Sequence, residues 1–120
     1  KMGLDQYAWK VTGNKREEIA YWRKHNRLQG WMENLWHSKG GAGEFNCVDV
    51  ELDEEDLDEL EIKIKGRKLP PTDGFFFGTD SYRISDDYHG YEDEPTDLQF
   101  IEDARRVISK GDKVVYSCWW

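Results

Sequence analysis

Along the first residues the large side chains alternate. Tyr7, Trp9 and Val11 fall on every second position from Leu4 to Val11, the period of a half-buried strand. Thr12-Gly13-Asn14 breaks that pattern and predicts a turn. Beyond it the spacing becomes helical. Ile19, Trp22 and Asn26, then Leu28, Trp31, Met32, Leu35 and Trp36, fit one helical stripe and predict a long helix that begins near Arg16. Gly30 lies inside this stripe, where glycine costs about 1 kcal/mol relative to alanine. A bend or a close approach by another segment is therefore expected at Gly30, and residues 38–43 read as a flexible loop that ends the helix.

Phe45 to Leu52 reads as a short strand carrying Cys47, Val48 and Val50. The next helix has a marked start. Asp53 can accept from the first free N–H groups, Glu54, Glu55 and Asp56 put negative charge on the positive end of the helix, and Leu52 can pack on Leu57. Leu57, Leu60 and Ile64 form its buried stripe, and Gly66 with Pro70-Pro71 closes it. The Phe75-Phe76-Phe77 run between two glycines reads as a short buried strand, followed by a tyrosine- and aspartate-rich stretch. Pro95 suits the first turn of a third helix, Thr96 to Ser109, with Leu98, Ile101, Val107 and Ile108 on its apolar side. Lys113 to Trp120 reads as a closing strand.

The elements run β-α-β-α-(β)-α-β. They predict an α+β fold in a single domain over residues 1–120: a small, mostly antiparallel sheet that includes both terminal strands and packs against about three helices. Lys1 ahead of Met2 reads as an addition before the natural start.

Composition sharpens this picture. With 120 residues the chain can bury a core, and 14% aromatic residues offset a hydrophobic fraction of 38%. The net charge of -8 comes in blocks: residues 1–40 are basic by four, 44–61 carry ten acids and no base, and 63–68 are basic again. Such blocks suit complementary faces of one fold or of two copies, and the overall sign opposes nucleic-acid binding. Two cysteines, Cys47 and Cys118, make no disulfide framework, and no signal peptide or membrane-length apolar run is present. A cytoplasmic protein is expected.

Candidate chemistry is sparse. Arg23-Lys24-His25-Asn26 offers a fork, a point charge and an imidazole for an anion or phosphate, with the competing reading of a solvated helix face. The histidines and cysteines lack paired metal-ligand spacings, so no metal and no cofactor is expected. The 40–43 stretch has no phosphate-loop pattern, and no nucleophile elbow or kinase motif occurs. Six tryptophans exceed what a core this size needs, and Trp is favoured at interfaces; Trp31, Trp36, Trp119 and Trp120 are the candidate interface residues.

Several blocks, in order along most of the chain, resemble a family of small proteins of tailed bacteriophages and prophages. They are Met2-Gly3-Leu4-Asp5, the Tyr21–Asn26 run with Gly30-Trp31, Cys47 to Leu52, and Leu69-Pro70 leading into Gly74-Phe75-Phe76-Phe77-Gly78. The helix through Phe100 and Ile101 and the ending Tyr116-Ser117-Cys118-Trp119-Trp120 complete the set. The resemblance implies a phage origin and action in the infected bacterial cytoplasm, and no particular reaction. Members sometimes carry the label phosphoglycerate kinase, a two-domain and much longer enzyme. Cys118 stands where similar chains often have Ser, which argues against a catalytic thiol. The leading reading is a non-enzymatic module that binds a protein partner or itself through an aromatic surface rimmed by charge. The alternative is a small-ligand or catalytic pocket built from Arg23, Lys24, His25 and Asn26 with the Gly74–Tyr82 loop, where Phe76, Asp80 and Tyr82 would contribute.

Overall fold

Asp5–Thr12, the first strand (β1), is flanked on both sides. Lys15–Arg23 (β2) pairs with it through a tight hairpin, and Lys113–Trp119 (β4) pairs along its other edge. A fourth strand, Asp49–Leu52 (β3), adds to β4, so the sheet is antiparallel throughout in the order β2-β1-β4-β3. Among the described residues three helices, Asn26–Ser38 (α1), Glu54–Lys65 (α2) and Glu94–Ser109 (α3), complete the fold. The computed structural model describes residues 3–73 and 91–120. The architecture is the expected α+β one, with the first and last strands side by side.

Strand pleating sends alternate side chains to opposite faces. Ala8, Trp22, Val50, Leu52, Val114, Tyr116 and Cys118 point to one face and are buried. Against them lie Leu28 and Met32 of α1, Leu57, Leu60 and Ile64 of α2, and Phe100, Ile101 and Ala104 of α3, forming one core. The helices therefore make a single layer on this face. Among the described residues neither helix nor strand makes a second layer on the other.

Two expectations need correction. Lys15–Arg23 is a strand, and the helix starts only at Asn26. The cause is a bulge: the register with β1 shifts between Ala8 and Trp9, so Ile19 becomes an extra residue. Ile19 and Trp22, three apart, then both reach the helix layer and imitate a helical stripe. The expected turn is the two-residue loop of the hairpin, with Gly13 at φ +58, a conformation that favours glycine.

The strand expected over Phe45–Leu52 is confined to Asp49–Leu52, because Cys47 sits at φ +58 and interrupts the extended run. The element order is accordingly β-β-α-β-α-α-β among the described residues. The expected Phe75–Phe77 strand lies outside them, as do Phe76, Asp80 and Tyr82.

The second helix follows its sequence signals. The Asp53 side chain accepts from Asp56 N at 2.8 Å, and Asp56 Oδ2 accepts from Asp53 N at 3.0 Å, closing the capping box. Lys39 at the end of α1 donates to the same Asp56 oxygen at 2.6 Å. Gly30 is buried at a close approach: a Cβ there would lie 1.9 Å from Thr72 Oγ1.

Candidate functional site

The Tyr21–Asn26 run is divided between the two faces of the sheet. Tyr21 and Arg23 end β2 on the open face, where both donate to Asp5 Oδ1, at 2.6 and 2.8 Å. This hydrogen bond to Asp5 raises the Tyr21 hydroxyl above its ordinary pKa. Trp22 points the other way into the core. Lys24 takes φ +56 and is exposed, turning the chain so that His25 caps α1 from inside. Arg23 and Lys24 thus face solvent, while His25 and Asn26 are buried. The four residues do not converge.

His25 belongs to a buried polar cluster. Its Nε2 lies 2.9 Å from Asp97 Oδ2, and its Nδ1 lies 3.9 Å from Asp93. Asp97 also accepts from Trp22 Nε1 at 2.8 Å and from the Tyr91 hydroxyl. The His25 backbone extends the network. Its N–H donates to Gln6 Oε1 at 2.8 Å, and Gln6 Nε2 donates to His25 O and to the Tyr116 oxygen, at 2.9 and 3.0 Å. The Tyr116 hydroxyl donates to Gln29, and Gln29 Nε2 reaches Cys118 Sγ at 3.1 Å.

Buried polar groups must be paired or cost the full loss of solvation. This chain of donors and acceptors pairs them across β1, β2, β4, α1 and α3. Burial pushes the Tyr116 hydroxyl well above its ordinary pKa and the Cys118 thiol up to about 11. Both groups are therefore neutral at neutral pH, so Cys118 is not an activated nucleophile.

The aromatic side chains of the open face make the other assembly. Tyr7 and Trp9 of β1 stack with ring centroids 5.5 Å apart, and Tyr21 tilts against Tyr7 at 5.4 Å. Trp9 Nε1 donates to Ser117 Oγ at 2.9 Å, which lays the indole towards β4. Trp119, opposite Asp5 in the register, shares this face and is 52% exposed; Tyr21 is 44% exposed. Val11 and Val115 fill the apolar floor. Charges line the edges: Arg16 and Arg23 on β2, Asp49 and Glu51 on β3, with Arg16 paired to Asp49.

The remaining interface candidates lie elsewhere. Trp31 is buried on α1. Trp36 packs on Phe45 with centroids 5.2 Å apart, and Trp120 Nε1 donates to Phe45 O at 2.9 Å, so both half-buried rings close the end of the core. Only Trp119 joins the open face. Tyr7, Trp9 and Tyr21, which share that face, were not among the candidates from sequence, although the alternation of Tyr7, Trp9 and Val11 was visible there.

Among the described residues no group of three or more His, Cys, Asp and Glu side chains is placed to hold a metal ion. No helix of the described residues is long and apolar enough to cross a membrane. Comparison with protein-family models, curated proteins and solved structures finds no match to the chain.

Proposed function

We propose that the chain is a non-enzymatic protein-interaction module of phage type, and that the open face of its sheet is the surface it uses. One observation carries this reading: Tyr7, Trp9, Tyr21 and Trp119 gather on a face that no described helix or strand covers, with Tyr21 and Trp119 about half exposed. Tyr and Trp give large contact area at low entropic cost and dominate binding energy where they cluster. The charged residues along the edges suit a polar rim around that patch.

Association by sheet edges is disfavoured. β3 has four residues, and β2 carries the Ile19 bulge and a charged Lys15-Arg16-Glu17-Glu18 segment, both of which blunt an edge. The alternative of an anion pocket loses support from the separation of Arg23 and Lys24 from His25 and Asn26. Action in a bacterial cytoplasm belongs to the same proposal, on the sequence resemblance alone.

A photo-reactive residue placed at Tyr21 tests it against one at Ile62, which is 67% exposed on α2 in the helix layer. Cross-linked protein adducts are expected from position 21 and not from position 62. Adducts from neither position, or only from 62, would overturn the reading.

A further inference from the structure

Cys47 and Cys118, the two cysteines of the chain, meet where the end of β4 passes the segment that leads into β3. The Cys47 N–H donates to Cys118 O at 2.9 Å. With standard bond lengths, that hydrogen bond holds the two Cα atoms within about 6.8 Å, and disulfides span Cα separations of about 4.4–6.8 Å. The Cys118 sulfur also lies close to its neighbour. Burial raises its pKa most, a hydrogen bond from Gln29 lowers it, and the Cys47 backbone and thiol act on it next. We propose that Cys47 and Cys118 form a dithiol site that closes to a disulfide by exchange with a small disulfide, latching the end of β4 to residues 45–47. Cys118 points into the helix layer, away from the aromatic face, so the site is independent of the proposed interaction surface.

The two thiols are set apart by exposure. Cys47 is exposed and takes φ +58, a backbone conformation that L side chains rarely adopt and that turns it out of the extended run. Cys118 is buried, with its sulfur 3.1 Å from Gln29 Nε2 and 3.4 Å from Phe45 O. The residues beside both cysteines are clamped together. Asn46 Nδ2 donates to Trp120 O, and Asn46 Oδ1 accepts from Trp120 N, each at 3.0 Å. Trp120 Nε1 donates to Phe45 O at 2.9 Å. These contacts fix residues 45–47 against 118–120 while the thiols are reduced, so closing the disulfide orders little that is not already ordered.

Exposure sets the order of the steps. The Cys47 thiolate attacks one sulfur of a small disulfide RSSR, forming a mixed disulfide and releasing the other half as RSH once it takes a proton. Cys118 then gives its proton to solvent and attacks Cys47 Sγ, which displaces the second RSH. The dithiol loses two electrons and two protons, and RSSR gains both. Burial of Cys118 makes the second step the slower one. A reducing glutathione pool keeps the pair open, and an oxidising medium closes it. The closed link joins residues far apart in sequence, and such links stabilise a fold by restricting the unfolded chain.

Treating the full native chain with oxidised glutathione tests the site, with intact mass and peptide mapping as the readout. The wild-type chain should lose the mass of two hydrogens, and mapping should place the link between Cys47 and Cys118. Cys118→Ser should instead keep a glutathione adduct on Cys47, and Cys47→Ser should stay unmodified. Positioning by the fold is tested by repeating the exchange in urea, where the ratio of closed form to adduct should be at least about tenfold lower. The closed wild-type chain should melt about 5 °C or more above the reduced one, and a reductant should reverse the gain. A lasting adduct on wild-type Cys47, a disulfide between two chains, or no reaction would overturn the proposal. So would a closed-to-adduct ratio that urea leaves unchanged, or a closed chain that melts no higher than the reduced one.

Discussion

Arg16 and Asp49 form an ion pair although they belong to β2 and β3, the two outermost of the four described strands of the sheet. β1 and β4 lie between them. For the pair to close, both edges must curl towards the open face, as the right-handed twist of a bulged hairpin allows. The pair is a little under half exposed at each side chain, so its own contribution to stability is about 0–1 kcal/mol. Its significance lies in position, since it crosses the aromatic face. Arg16→Ala is accordingly expected to leave urea stability within about 1 kcal/mol of wild type. A loss well above that in a urea melt would mark the pair as structural.

Asp97 is the opposite case. Three donors, from Trp22, His25 and Tyr91, meet its fully buried carboxylate. Removing it takes that acceptor from all three buried groups, and each buried donor left unpaired costs about 1–3 kcal/mol. Asp97→Ala should therefore lose about 3 kcal/mol or more in urea unfolding. A loss below 1 kcal/mol would show that the cluster does not hold the core together.

The cap of α2 links stability to acid. Hydrogen bonding from the Asp56 backbone holds the Asp53 carboxyl below its ordinary pKa, so its contribution is full above about pH 3.9 and is lost as pH falls through the lowered folded value. Asp53→Ala should cost about 1 kcal/mol at neutral pH. Urea melts at decreasing pH should show this difference shrinking once the wild-type carboxylate protonates. A difference that grows in acid would contradict the cap.

Gly30 reverses the usual rule for a helix interior. Alanine there gains about 1 kcal/mol in propensity, but its Cβ would lie 1.9 Å from the β-branched and stiff Thr72. Gly30→Ala is expected to destabilise, and to do so less in a Thr72→Ala background; a double-mutant cycle measures the coupling. Additive effects would place Thr72 away from the helix.

Much of this fold was legible because local signals agreed. Asp53, the acidic first turn and Gly66 defined α2, Pro95 marked the start of α3, and the alternating ends of the chain predicted the β1–β4 pairing. The β2 strand was not legible. The Ile19 bulge reset its period, and its remaining polarity hid a strand that buries mainly Trp22. Gly13-Asn14 between two strand-like runs was the available hairpin signal. The open face was half legible: Tyr7, Trp9 and Trp119 could be read as strand positions, but only the register brings them together with Tyr21. The Gln6–Tyr116–Gln29 network joins residues far apart in sequence, and no local pattern encodes it.

Trp119 stands half exposed, outside the core, on the proposed interaction surface. The most direct measurement is the cross-link yield from position 21 in a Trp119→Ala chain, with a thermal melt recorded beside it. Trp119→Ala is predicted to unfold within about 1 kcal/mol of the parent chain, as surface substitutions do, while the yield falls at least about tenfold, the equivalent of 1.4 kcal/mol of binding. An undiminished yield from a normally folded Trp119→Ala chain would contradict it.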